Sequence, residues 1–143
     1  MAKHANPVKA YRETQIKTAS QGRIIVMIYD EAIRQIDAAI SGLDEGGDTL
    51  ERVNTALIKC QDLVTELMVS LDFERGGEIA ENLFTIYLFF NKQLSQANIR
   101  KDPEPLRSVR SMLAELRSAW ASISGKSIGE SESRGSSGLN IAG

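Results

Sequence analysis

The stretch LERVNTALIKCQDLVTELMVSL, residues 50–71, carries the clearest pattern in the chain. Its apolar members Leu50, Val53, Leu57, Cys60, Val64, Leu67 and Leu71 recur at steps of three and four. That rhythm puts every one of them on a single helical stripe, and a strand, whose period is two, does not account for it. Upstream, Val26, Tyr29, Ile33, Ile36, Ile40 and Leu43 obey the same rule. Downstream, Ile79, Leu83, Ile86, Phe90, Leu94 and Ala97 form a third stripe, and Leu106, Val109, Leu113, Leu116, Trp120 and Ile123 a fourth. Apolar neighbours such as Ile25, Ile28, Leu63 and Met112 widen the stripes beyond a two-stranded coiled-coil seam, so the pattern fits a globular bundle.

Breakers and caps divide the chain at the same places. Ser20 is a candidate cap for the first long helix, and Gly42 with Gly46 and Gly47 ends it. Asp48 or Thr49 caps the second, which closes near Asp72 before the Gly76-Gly77 turn, and Asp102-Pro103 opens the fourth. Helices are expected over roughly 21–41, 49–72, 78–100 and 103–123, and short connections make consecutive ones antiparallel. A shorter amphipathic arm, roughly Val8 to Lys17, precedes them. From Ser124 to Gly143, eleven of twenty residues are Ser or Gly, too little apolar surface to offset the entropy of ordering. The expected organisation is an all-α, antiparallel four-helix bundle with a short N-terminal helical arm and a disordered C-terminal tail. Its domain covers residues 1–124 (arm 1–19, bundle 20–124), and the Gly/Ser-rich tail covers 125–143.

Composition narrows the function. At 143 residues and 42% apolar content the chain fits one domain that needs no disulfide or metal to hold it. A net charge of −2 leaves no footprint for nucleic acid or an anionic membrane. The lone cysteine, Cys60, forms no internal disulfide, the longest apolar runs fall far short of a membrane span, and no signal-peptide pattern follows Met1. A cytoplasmic protein is expected.

Chemistry finds little foothold. The only histidine, His4, stands outside every bundle stripe, which argues against phosphotransfer and against carboxylate-bridged metal bundles. Cys60 is in phase with Val53, Leu57 and Val64 and reads as a packed, poorly reactive core thiol. Asp72, Glu74, Glu78 and Glu81 lack calcium-loop spacing and suit a helix N-terminus. Arg107, Arg110 and Arg117 share one side of the last helix, either as a solvated face or as a surface for an acidic partner. The third helix is the informative one. Leu88 and Phe89 fall off its main stripe, and a helix apolar on several faces is either central or offers a groove to a partner helix. No metal, cofactor or catalytic residue is expected.

At these residues the sequence resembles the flagellar secretion chaperone (FliS) family. The similarity runs from Asn6 to about Trp120. It includes Asn6-Pro7 with Tyr11, Thr18-Ala19-Ser20, Tyr29-Asp30, Leu67 and Leu71-Asp72. Gly76-Gly77-Glu78-Ile79-Ala80 with Asn82-Leu83 continues it, then Tyr87, Leu94, Ala97-Asn98, Asp102, Leu116-Arg117 and Ala119-Trp120. Val8 stands where the family usually has a tyrosine, and Gln21 where a proline often follows Thr-Ala-Ser.

The resemblance implies a non-enzymatic cytoplasmic chaperone that binds the disordered C-terminal segment of flagellin. It would prevent premature polymerisation and help deliver the subunit to an export-gate component of the flagellar type III secretion apparatus. The alternative is a structural bundle that self-associates through its exposed stripe. Tyr11, Asn82, Tyr87, Leu94 and Asn98 are the expected client contacts. The competing reading has Tyr87 and Leu94 in the core and the asparagines capping or bracing loops. Val8, Tyr11 and Ile16 are the residues by which the arm would cover the client groove.

Overall fold

A computed structural model describes residues 7–46 and 50–133, with side chains over 21–46 and 50–124. Four helices follow one another: α1 (Pro7–Glu45), α2 (Leu50–Val69), α3 (Phe73–Arg100) and α4 (Glu104–Ser133). Among the described residues there is no strand. The described residues divide into two compact units, one within 27–117 and a second that joins 7–26 with 118–133.

The larger unit is an antiparallel four-helix bundle. Its core is built by the four stripes: Tyr29 and Ile36 from α1, Val53, Leu57, Cys60, Val64 and Leu67 from α2, Tyr87, Phe90 and Leu94 from α3, and Leu106, Val109 and Leu113 from α4. All are buried, and among the described residues no polar or charged residue is fully buried with them. Direction is read from side-chain pairs. Asp30, Asp37 and Asp44 ascend α1 while their partners Arg117, Arg110 and Arg107 descend α4. Asn54 and Thr65 ascend α2 while Asn98 and Asn91 descend α3.

Local chemistry sets the ends. Gly46, with φ +76°, closes α1 and donates its N–H to the Gly42 carbonyl at 2.9 Å. Asp72 Oδ1 accepts from the N–H groups of Glu74 and Arg75, both at 3.1 Å, and so caps α3 rather than ending α2. One turn later Gly77 (φ 49°, ψ −122°) leaves helical geometry, which places a kink at the expected Gly-Gly turn. Lys101 closes α3 in the left-handed region. Asp102 Oδ1 then accepts from Glu104 N–H at 3.0 Å, so Asp102-Pro103 opens α4 as the sequence indicates. The expected Asp48 or Thr49 cap lies outside the described residues.

α3 begins at Phe73 rather than at 78, and the two largest departures from expectation are at the chain's outer helices. The arm and the first long helix are one continuous helix from Pro7, because nothing between Val8 and Ser20 breaks it and Gln21 supplies the N–H that a proline would lack. α4 runs to Ser133, nine residues into the stretch expected as tail. No proline follows Pro105, and Gly125 and Gly129 are isolated, each costing a running helix only about 1 kcal/mol relative to alanine. Residues 134–143 lie outside the described residues. In the smaller unit, Gly22 of α1 meets Ser124 of α4. A Cβ at Gly22 would stand 3.3 Å from Ser124 Cβ and collide with Ser124 Oγ.

Candidate functional site

α3 carries apolar residues on three sides. Its inner stripe, Tyr87, Phe90, Leu94 and Ala97, is buried. On one flank Ile79, Asn82, Ile86, Phe89 and Gln93 follow at helical spacing, with Ile79 70% and Phe89 43% exposed. On the other flank lie Leu88 (49% exposed), Asn91, Ser95, Asn98 and Ile99 (79% exposed). Ile79, expected on the core stripe, is outside it because it begins the helix just after the Gly77 kink, at the edge of the packed layer.

The flank toward α2 is a polar seam of amides and a hydroxyl, with the Lys101 ammonium at one end. Asn98 Nδ2 donates to Asn54 Oδ1 at 2.7 Å, and Lys101 Nζ donates to Asn98 Oδ1. Asn91 Nδ2 donates to Thr65 Oγ1 at 3.2 Å, and Gln61 Nε2 reaches the Asn91 carbonyl at 3.5 Å. Thr65 Oγ1 also donates to the Gln61 carbonyl at 2.9 Å. Half-exposed Ile58 on α2 stands between the Asn54 and Gln61 rungs. Amides have donors and acceptors beyond those used here, so the seam keeps hydrogen-bonding capacity for a partner's backbone.

The structure distributes the expected contact residues unevenly. Tyr87 and Leu94 are buried, and the Tyr87 and Tyr29 hydroxyls hydrogen-bond to each other inside the core. Tyrosine at such a position brings ring area to the core, and its hydroxyl finds a partner on α1. Asn82 is exposed on one flank of α3. Asn98 is half-buried in the seam on the other, where it braces α3 against α2. Tyr11, with Val8 and Ile16, belongs to the first turns of α1, and its side chain lies outside the described residues.

Arg107, Arg110 and Arg117 form a half-exposed face as one of the two readings has it, and each is matched within the chain itself, so they are not a free surface for an acidic partner. Arg117 Nε and Arg110 Nε approach Asp30 and Asp37 at 2.7 and 2.9 Å, and in both pairs the second guanidinium nitrogen reaches the other carboxylate oxygen at 3.2 Å. Arg107 bonds both oxygens of Asp44, at 3.1 and 3.2 Å, and Glu104 at 3.3 Å. The hydrogen-bonded aspartate is in each case the main cause that raises the guanidinium pKa above its ordinary value. The signal for this ladder is in the sequence: Asp30, Asp37 and Asp44 are spaced by sevens, as are Arg110 and Arg117. The amide seam has the same signature, with Asn54 and Gln61 seven apart on α2 and Asn91 and Asn98 seven apart on α3.

Cys60 is fully buried, its Sγ 3.5 Å from the Ala32 carbonyl, and burial pushes the thiol up to about 12. Among the described residues no cluster of three or more His, Cys, Asp and Glu side chains forms a metal position, and no helix is long and apolar enough to cross a membrane.

Comparison with known proteins gives a consistent result. The family model for the flagellar protein FliS matches residues 4–127. The chain is 34% identical over 127 residues to the flagellar secretion chaperone FliS of Salmonella typhimurium, covering 85% of this chain and 93% of that protein. It is 31% identical over 115 residues to the FliS of Bacillus subtilis, covering 80% and 84%. It is 33% identical over 113 residues to the FliS of Vibrio cholerae, covering 78% and 80%.

Proposed function

Because this chain belongs to the FliS family and is a flagellar export chaperone, we propose that its client is flagellin, bound through the disordered C-terminal segment in the cytoplasm before export. The observation that carries this reading is the apolar surface left on both flanks of α3, Ile79 and Phe89 on one and Leu88 and Ile99 on the other, in a bundle whose core is already complete. An apolar helix face that no element of its own bundle covers suits recognition of a segment that folds onto it. Ordering such a segment consumes some 2–5 kcal/mol or more of the interaction energy, which favours reversible release to an export-gate component.

Asn82 and Asn98 supply polar contacts at the two ends of α3, and Tyr11 on the first turns of α1 is a third contact. Tyr87 and Leu94 serve the site from beneath, by fixing the rotation of α3 about its axis and hence which residues each flank presents.

Co-purification with the C-terminal segment of the host's flagellin, read by light scattering, tests the proposal. A monomeric chain that forms a one-to-one complex supports it. A chain that self-associates and ignores the segment favours a structural bundle instead.

A further inference from the structure

Each helix of the α2–α3 pair carries a second row of residues beside its core stripe. On α2 the row is Asn54, Ile58, Gln61 and Thr65, in steps of four, three and four. On α3 it is Leu88, Asn91, Ser95 and Asn98, in steps of three, four and three. Hydrogen bonds show that the two rows face each other: Asn98 to Asn54 at 2.7 Å, Asn91 to Thr65 at 3.2 Å, and Gln61 to the Asn91 carbonyl at 3.5 Å. The rows also lie open, since Asn54, Ile58, Thr65 and Leu88 are exposed and the other four half-buried. Alternating threes and fours are the rhythm that keeps one helix against another in a coiled coil. Two such rows side by side make a shallow cleft for a third helix, about three turns or 18 Å long. No member of either row is charged. By helical position Asp62 and Lys92 fall outside the rows, on the exposed rims, and Lys101 meets the cleft only at its Asn98 end.

We propose that this cleft selects its occupant by side-chain charge: it takes an amphipathic helix whose inward row alternates apolar side chains with uncharged amides, and it turns away lysine and glutamate at the amide positions. This rests on the reading that a client segment folds on α3. The apolar members of the inward row meet Ile58 and Leu88. A glutamine or asparagine between them finds both kinds of partner. Among the described residues Asn54 Nδ2 and Gln61 Oε1 make no hydrogen bond, and Thr65 Oγ1, which accepts from Asn91 and donates to the Gln61 carbonyl, keeps a second lone pair. Asn91 offers less, because its Oδ1 is enclosed without a partner. A charged side chain in the same place gives up water and meets no opposite charge. Burying an unpaired charge costs far more than burying an amide whose hydrogen bonds are met.

The test uses the full chain and three stapled amphipathic peptides of about 16 residues, the length of the cleft plus one turn. They are alike except at two inward positions seven apart, which carry glutamine, glutamate or lysine. Stapling keeps all three helical, so their intrinsic helicities do not enter. Fluorescence anisotropy is expected to show the glutamine peptide binding at least about tenfold more tightly than either charged one. The gap is expected to persist from about 50 to about 500 mM salt, because salt screens attraction at a distance and not the cost of stripping water from a charge. Gln61→Glu puts a carboxylate in the middle of the cleft. It is expected to raise the affinity of the lysine peptide by about fivefold and to lower that of the glutamate peptide, with the helical circular-dichroism signal intact. Should that variant fail to fold, the three-peptide comparison on the native chain still decides. Equal affinities, tighter binding of a charged peptide, a gap that closes in salt, or no binding of any peptide overturns the proposal. The flagellin C-terminal segment, run in parallel, separates the two readings. Binding of flagellin without discrimination among the peptides removes the inference about charge alone, and discrimination without flagellin binding removes the client.

Discussion

The α1–α4 seam and the α2–α3 seam join the same core by opposite means. Along α1–α4, each of three arginines is held by an aspartate in two-point contact, so each full charge is matched by its opposite within the chain. Along α2–α3, the rungs are neutral amides and a hydroxyl, with half-exposed Ile58 and Leu88 set among them. A seam of paired full charges fixes register and rejects a third participant, because an incoming group must displace a matched ion pair. A seam of amides fixes register through single hydrogen bonds and keeps donors and acceptors beyond those used in its rungs, although Asn91 Oδ1 is itself buried without a partner. The difference is one of charge and apolar company: only the α2–α3 side sets exposed apolar side chains, Ile58 and Leu88, beside uncharged hydrogen-bonding groups.

Both seams depend on one core, and removing part of it gives the largest expected effect. Leu113 of α4 and Leu94 of α3 are both fully buried. Leu113→Ala and Leu94→Ala are each expected to cost roughly 2–5 kcal/mol in denaturant unfolding, the transfer term plus the cavity left behind. A cost below about 0.5 kcal/mol at either site, the level of ordinary surface positions, breaks the picture of a shared core. Cys60 offers a chemical check of the same core. With its thiol buried and pushed up to about 12, it is expected to stay unmodified by iodoacetamide at pH 8 until denaturant is added. Rapid labelling of the native chain contradicts a core position.

How much of this was legible before the structure depends on the kind of force involved. The stripes were legible because burial is periodic: Val53, Leu57, Cys60, Val64 and Leu67 follow the helical repeat and all are buried. The cap at Asp102 and the break at Gly77 were legible in outline, since each rests on local stereochemistry, whereas Asp72 was expected to close α2 and caps α3 instead. The continuity of α1 was not, because helix propagation through Ser20-Gln21 depends on the absence of a breaker rather than on a positive signal. Nor was the pairing of the three arginines, which requires knowing that α1 and α4 are neighbours in antiparallel register. Tyr87 and Leu94 show the limit at the candidate site. Their spacing marks them for the inner stripe, and only the layer packed over α3 decides whether a partner can touch them.

The two seams are expected to respond differently when a partner is present. Asn98→Ala and Asn82→Ala remove amides from the flanks of α3, and each is expected to weaken binding of the flagellin C-terminal segment by about 1 kcal/mol, roughly fivefold. Arg110→Ala opens the other seam and is expected to leave client affinity unchanged. Its effect on folding is small, under about 1 kcal/mol, and it shrinks further in salt, because the pair is largely solvent-exposed. Isothermal titration with each variant checks the contrast. A client affinity that falls for Arg110→Ala as much as for Asn98→Ala means that the α1–α4 seam takes part in recognition and that the contrast between the seams is wrong.

The finest distinction concerns Asn98, which stands in the structure as a brace and in the proposal as a contact. Asn98 Nδ2 donates to Asn54 Oδ1 at 2.7 Å, and Lys101 occupies Asn98 Oδ1. If the amide serves a client directly, the Asn54 bond competes with the client for Asn98, and Asn54→Ala releases a donor. Client affinity is then expected to hold or to rise slightly, while Asn98→Ala lowers it. If the amide acts only by holding α3 against α2, either substitution breaks the same bond, and the two weaken binding equally. Folding stability does not separate these cases, since a neutral, exposed hydrogen bond contributes only about 0.5–1 kcal/mol and both variants lose it. Affinity does, through a double-substitution cycle on Asn54 and Asn98 with the flagellin segment as ligand. Equal losses for the two single variants, with no further loss in the double, would reduce Asn98 to a brace. The polar contact on that flank would then have to come from Asn91 or Ser95.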